Sequence, residues 1–158
     1  MLRIRIIVVD RTRAPFLVEG EALFLDRLKK YARVEWVQVK PSKIKKGRPE
    51  KEILELEKEA IIKKVMPKDY LVALDRCGRP CDSEGLARWL DCVSMETGGG
   101  AVSFAIGGPL GLSQEILERA RKVLSLSRLT LTHEMSRLLL LEQLYRAFTI
   151  IRGEKYHK

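Results

Sequence analysis

Few residues in this chain combine a reactive type with an informative spacing. There are two histidines, His133 and His157, and three cysteines, Cys77, Cys81 and Cys92. A structural zinc site needs four ligands at short, recurring spacings. Here the only close cysteines stand C-x-x-x-C and the histidines lie far downstream, so no metal is expected. The odd cysteine count argues for free thiols in a reducing cytoplasm. The glycine-rich turn Gly107-Gly-Pro-Leu-Gly111 tells more, because glycines let backbone approach a ligand closely. It fails as a nicotinamide-binding turn: Pro109 occupies the second glycine position, and no acidic residue follows about 20 positions later to hold a ribose. It fails as a phosphate-binding loop too, lacking Gly-Lys-Ser/Thr. What remains is a backbone-rich pocket with few charges, suited to a nucleoside that carries no phosphate.

The pattern of the chain supplies a frame for that pocket. Strand and helix signals alternate from end to end. Ile4 to Val9 is a short β-branched run, as a buried strand should be. Phe16 to Tyr31 carries apolar residues at helical spacing, and Val34 to Val39 reads as a second strand. Lys40 to Pro49 holds five cations and two prolines and is expected to form a flexible basic loop. Pro49 opens a helix to about Val65, and Pro67 ends it. Tyr70 to Leu74 is a third strand, followed by a turn over Asp75 to Pro80. Asp82 or Ser83 caps a helix to about Ser94. Val102 to Ile106 is a fourth strand, and Ser113 caps the next helix. Leu124 to Leu131 alternates apolar and hydroxyl residues, and Glu134 to Arg152 is a long last helix.

This order predicts one α/β domain over residues 1–158, a parallel sheet with helices on both faces. In such a sheet ligands bind beyond the carboxyl ends of the strands. Three segments meet that description: the end of the third strand at Leu74, the Gly107–Gly111 turn, and Ser125 to His133. Gly107 is expected to keep space open for the ligand. The last helix is apolar on more than one side, at Met135, Leu138, Leu139, Leu144 and Phe148 among others. One sheet needs one stripe, so the extra side predicts a second copy of the chain as partner.

Thirty Lys and Arg against 21 Asp and Glu give a formal charge of +9. Such an excess favours a polyanionic partner, RNA or DNA. No run approaches the roughly 20 apolar residues that span a bilayer. The apolar start MLRIRIIVVD, broken by arginines, reads as a strand rather than a signal peptide. A cytoplasmic protein without membrane contact is expected.

Five segments, in order, resemble one known family: Ile106-Gly-Gly-Pro-Leu-Gly-Leu-Ser113, Leu124-Ser-Leu-Ser127, Leu129-Thr-Leu-Thr-His133, Glu142-Gln-Leu-Tyr-Arg-Ala147 and Arg152-Gly-Glu-Lys-Tyr-His-Lys158. They are similar to the RlmH (YbeA) family, small SPOUT-class enzymes that methylate N3 of a pseudouridine in large-subunit ribosomal RNA. Thr132 departs from the proline of that pattern and reads as a helix N-cap. Leu110 stands where the family commonly has glutamate.

The resemblance implies a C-terminal trefoil knot, a topology that general folding rules would not suggest. It also implies a homodimer and S-adenosylmethionine as methyl donor. The donor's pocket would be Leu74, Gly107, Leu126, Ser127, Arg128, Leu129, Thr130 and Leu131. A uracil-type imide must lose its N3 proton, so a base is useful, and His133 is one candidate. Tyr156 and His157 are the others, set in a basic tail where an aromatic can stack on an unpaired base. Lys43, Lys45, Lys46 and Arg48 of the basic loop, with Arg152, Tyr156 and His157 of the tail, are expected to touch RNA. Two other functions stay open: an RNA-binding α/β protein without catalysis, and a SPOUT methyltransferase acting on transfer RNA.

Overall fold

A computed structural model of the chain describes residues 1–43 and 47–156. Five strands form one sheet: β1 (Leu2–Val9), β2 (Ala32–Val39), β3 (Tyr70–Pro80), β4 (Val102–Ile106) and β5 (Lys122–Ser125). Their order is β2-β1-β4-β3-β5, and every neighbouring pair is parallel. The helices are α1 (Pro15–Leu28), α2 (Glu50–Ile62), α3 (Ser83–Glu96), α4 (Gln114–Arg119) and α5 (His133–Ile151).

Period-two alternation explains how both faces are buried at once. On one face Ile4, Ile6, Val8, Val102, Phe104 and Leu124 meet α1, α3 and α5 through Leu28, Leu90, Leu140 and Leu144. On the other face Ile7, Val9, Ala73 and Ala105 meet α2 and α4 through Ile61 and Ile116. The predicted α/β layering therefore stands, and so do the caps. Asp82 accepts from Gly85 N, Ser113 from Ile116 N and Thr132 from Met135 N.

Two segments differ from expectation. The predicted turn at Asp75–Pro80 is the second half of β3. After an irregularity beyond Leu74, Arg79 and Pro80 pair with Leu124 and Ser125 of β5. Gly78 permits this crossing, since a Cβ there would lie 2.7 Å from Val123 O. Locally these residues favour a turn, and indeed Asp75 Oδ1 accepts from Cys77 N; the neighbouring strand overrides that preference. The second difference is Leu124 to Leu131, which is strand only to Ser125 and then irregular.

Helix α5 packs against α1 and α3 with Leu140, Leu141, Leu144 and Ala147 fully buried. Its remaining apolar side chains are mostly half-buried within the chain, and Met135 and Ile151 are exposed. On α1, which packs against α5, Phe16 and Leu23 are exposed as well. No helix among the described residues is long and apolar enough to cross a membrane. The three cysteines are exposed and unpaired.

Candidate functional site

The segments that follow β4 and β5 meet the irregular middle of β3 beside the start of α5. They enclose a cleft of about 560 Å³, lined by Leu74–Arg76, Ile106–Gly111, Leu126, Ser127, Leu129–His133 and Ser136. That size is within the usual range for small-molecule sites.

The wall after β4 is a tight turn closed by Gly111 N donating to Gly108 O at 2.9 Å, with Gly111 at φ 76°. A Cβ on Gly107 would lie 2.3 Å from the carbonyl carbon and oxygen of Gly111. The glycine at 107 is therefore demanded by the turn itself. The expectation that a side chain there would chiefly obstruct a ligand needs this correction: it would first break the wall.

The wall after β5 belongs to no helix or ladder beyond Ser125, which leaves much of its backbone polar surface available to a ligand. Its bonds are local: Ser125 Oγ donates to Ser127 O at 2.9 Å, and Ser127 Oγ accepts from Leu129 N at 3.0 Å. Arg76, from the far side of the cleft, reaches Thr130 Oγ1 at 3.4 Å. Of the residues expected in the donor's pocket, Leu74, Gly107, Leu126, Ser127, Leu129, Thr130 and Leu131 line the cleft. Arg128 is exposed and is not among its lining residues.

His133 is the first residue of α5, half-buried at the edge of the cleft. Burial lowers its pKa, and the positive charge of Arg137 one turn on lowers it further. The carboxylates of Glu134 and Asp10 oppose both effects without reversing them. The protonated imidazole is thus disfavoured relative to an ordinary histidine.

Arg137 had no place in the sequence reading, yet it anchors this end of the helix. The side chain is fully buried; Nη2 donates to Val9 O at 2.6 Å and Nη1 to Thr12 Oγ1 at 2.9 Å. Thr12 in turn donates to the buried Glu21 at 2.6 Å. Glu134 accepts from Arg13 N at 2.5 Å. The loop between β1 and α1 is therefore stapled to the first turns of α5. A lone arginine four residues after His133, inside a leucine-rich stretch, was the available signal.

The expected RNA contacts are scattered. Lys43 is exposed, while Arg48 is tied to Ser42 Oγ at 3.1 Å and to Glu52 at 3.3 Å. Lys45, Lys46 and His157 lie outside the described residues. Arg152 is exposed at the end of α5. Tyr156 packs edge-on against Tyr145 at 4.7 Å and donates to Glu142 at 3.2 Å, away from the cleft lining.

Comparison with known proteins fits this geometry. A family model described as "Predicted SPOUT methyltransferase" matches residues 2–157. A ribosomal RNA large subunit methyltransferase H of Halothermothrix orenii is 41% identical over 160 residues, covering 99% of this chain and all of the relative. The protein of the same name from Desulfotalea psychrophila is 44% identical, covering 97% of each chain. Among solved structures, a probable methyltransferase from Bordetella pertussis shares the fold with a TM-score of 0.59 at 19% identity, covering 92% of this chain and 96% of that one. A match over nearly the whole length, with relatives about 40% identical, means that the chain belongs to the SPOUT methyltransferase family.

Proposed function

We propose that this protein is an S-adenosylmethionine-dependent methyltransferase of large-subunit ribosomal RNA that acts on N3 of a pseudouridine. The observation that carries the reading is the cleft, in which seven residues expected to hold the donor share one wall system with His133. Its lining fits a phosphate-free nucleoside: glycine backbone on one side, apolar and hydroxyl side chains on the other, and no phosphate-binding motif. S-adenosylmethionine would supply an electrophilic methyl carbon on a sulfonium, whose departure needs no proton.

The protein's own work is then positioning and proton removal. The Gly107–Gly111 turn and the Leu126–Leu131 loop hold one reactant against the other, and such alignment contributes at most ~7–11 kcal/mol to the barrier. His133, whose protonated form is disfavoured by burial and by Arg137, accepts the imide proton. The same reading treats residues 1–158 as one domain carrying the trefoil knot, formed where the loops after β4 and β5 meet the middle of β3. A homodimer, in the cytoplasm, would cover the exposed apolar side chains of α1 and α5. The basic loop and tail would contact the ribosome.

The test is mass spectrometry of ribosomal RNA from cells with and without the gene. Purified protein is also given labelled donor and ribosomes. A methyl group lost with the gene and restored by the protein is the expected result. Its presence in both RNAs, or transfer to transfer RNA alone, rejects the reading.

A further inference from the structure

We propose that the open edge of the sheet, strand β5 with the end of β3, is a track for the RNA backbone leading to the cleft mouth. The inference rests on the function proposed above. It starts from unneutralised charge. Arg121 precedes β5 and Lys122 opens it, Arg79 stands opposite Leu124 near its end, Arg76 sits at the β3 irregularity just before Arg79, and Arg128 lies beyond β5. Among the described residues none of the five pairs with a carboxylate, although Arg119, two positions before Arg121, is paired with Glu115. Asp75 and Asp82 make their hydrogen bonds to backbone instead, to Cys77 N and Gly85 N.

Two of these cations are held in place by rings, which orient without neutralising. Lys122 Nζ sits 5.0 Å from the centre of the Trp89 ring and the Arg121 guanidinium 5.4 Å from that of Tyr70. Trp89 and Tyr70 contact each other edge to face at 5.9 Å, so the platform is rigid. From Arg121 to Leu126 the backbone rises roughly 17 Å, room for several phosphates of one strand. The stripe ends at Arg76, which lines the cleft and touches Thr130.

Cations on an edge strand also have a purely protective use, keeping other strands from pairing there. That accounts for Arg121 and Lys122. It does not account for Arg128, which lies past the end of β5, or for Arg76, which leaves the ladder at the β3 irregularity and reaches across the cleft to Thr130. A path ending at the site of reaction explains all five.

The test compares an Arg79→Gln/Arg121→Gln variant with the wild type for binding a short oligouridylate, by anisotropy across a salt series. Both residues are exposed and outside the cleft. The control is Arg3→Gln/Arg33→Gln, exposed cations paired in register on β1 and β2 at the other side of the sheet. The slope of log affinity against log salt should flatten by about 1.4 in the edge variant, ~0.7 for each phosphate of a single strand that is no longer neutralised. Arg79→Gln alone should give about half of that. S-adenosylmethionine affinity and melting temperature should stay at wild-type values, and the control slope should not change. An edge variant with the wild-type slope, or a control that flattens as much, overturns the track while leaving methylation of ribosomal RNA untouched. A wild type that neither binds RNA nor methylates it overturns the function and the track together.

Discussion

Replacing Arg137 by methionine keeps most of the side-chain volume and removes one buried charge from the start of α5. Two charged hydrogen bonds go with it, to Val9 O at 2.6 Å and to Thr12 Oγ1 at 2.9 Å. Bonds to charged groups contribute about 1.5–3 kcal/mol each, for a gross loss of roughly 3–6 kcal/mol. Part is recovered, because Nε of Arg137 is buried without a partner and the guanidinium no longer has to be desolvated. Glu21 adds a cost: burial already raises its pKa, and Arg137 is one of the groups opposing that rise. A net loss of about 3 kcal/mol is expected, lowering the melting temperature by roughly 6–12 °C at this chain length. Urea unfolding followed by tryptophan fluorescence measures the first quantity and calorimetry the second. A second readout separates positioning from mere stability. Loss of the neighbouring positive charge should raise the His133 pKa, seen by NMR titration of the folded variant, and move the acid limb of the single-turnover rate to higher pH. A variant with wild-type stability and an unmoved His133 titration would refute the staple and its electrostatic role alike.

Gly107→Ala should disrupt the 107–111 turn and abolish donor binding in calorimetry, because its Cβ meets Gly111 backbone at 2.3 Å; near-normal affinity would show that the turn yields. His133→Ala should slow single-turnover transfer and abolish the rise of rate with pH. Since the fold lowers this histidine's pKa, the unfolded chain holds the proton more tightly. Wild-type stability should therefore climb as pH rises from the lowered value to about 6.5, and that climb should vanish in the variant. Cutting the chain after Lys155 should leave donor affinity intact and eliminate transfer, while keeping the Tyr31–Glu154 bond of 2.7 Å; full activity would dismiss the tail. Leu139→Asp should yield monomer or unfolded protein by light scattering, and an unchanged folded dimer would place the interface elsewhere.

Strands β1 and β4 were plain in the sequence because each is largely buried on both faces, leaving apolar runs interrupted only by Arg3 and Arg5 in one and Ser103 in the other. The caps at Asp82, Ser113 and Thr132 were equally plain, since their chemistry is local. The second half of β3 was not: Asp75-Arg-Cys-Gly-Arg-Pro80 has turn composition, and only its pairing with β5 makes it a strand. That Leu74, Gly107 and the loop after β5 come together was legible through segment resemblance and strand-end logic, and they do line one cleft. The meaning of Gly107 and the place of Arg137 were not. The first depends on how tightly the turn folds Gly111 back onto Gly107, and the second on Val9 and Thr12, more than 120 residues away in sequence.

The docking of Tyr156 on Tyr145 restricts which chain its ring can serve. Tyr145 lies twelve residues after His133 on one helix, roughly 18 Å along its axis. A tail residue fixed there is stationed at the wrong end of α5 to stack on a base in its own chain's cleft. If the tail handles the base, it handles one presented by a second copy, and each chain works with a borrowed hand. Two dead proteins, one lacking His133 and one lacking the tail, should then regain transfer when refolded together, because mixed pairs contain one site with both parts intact.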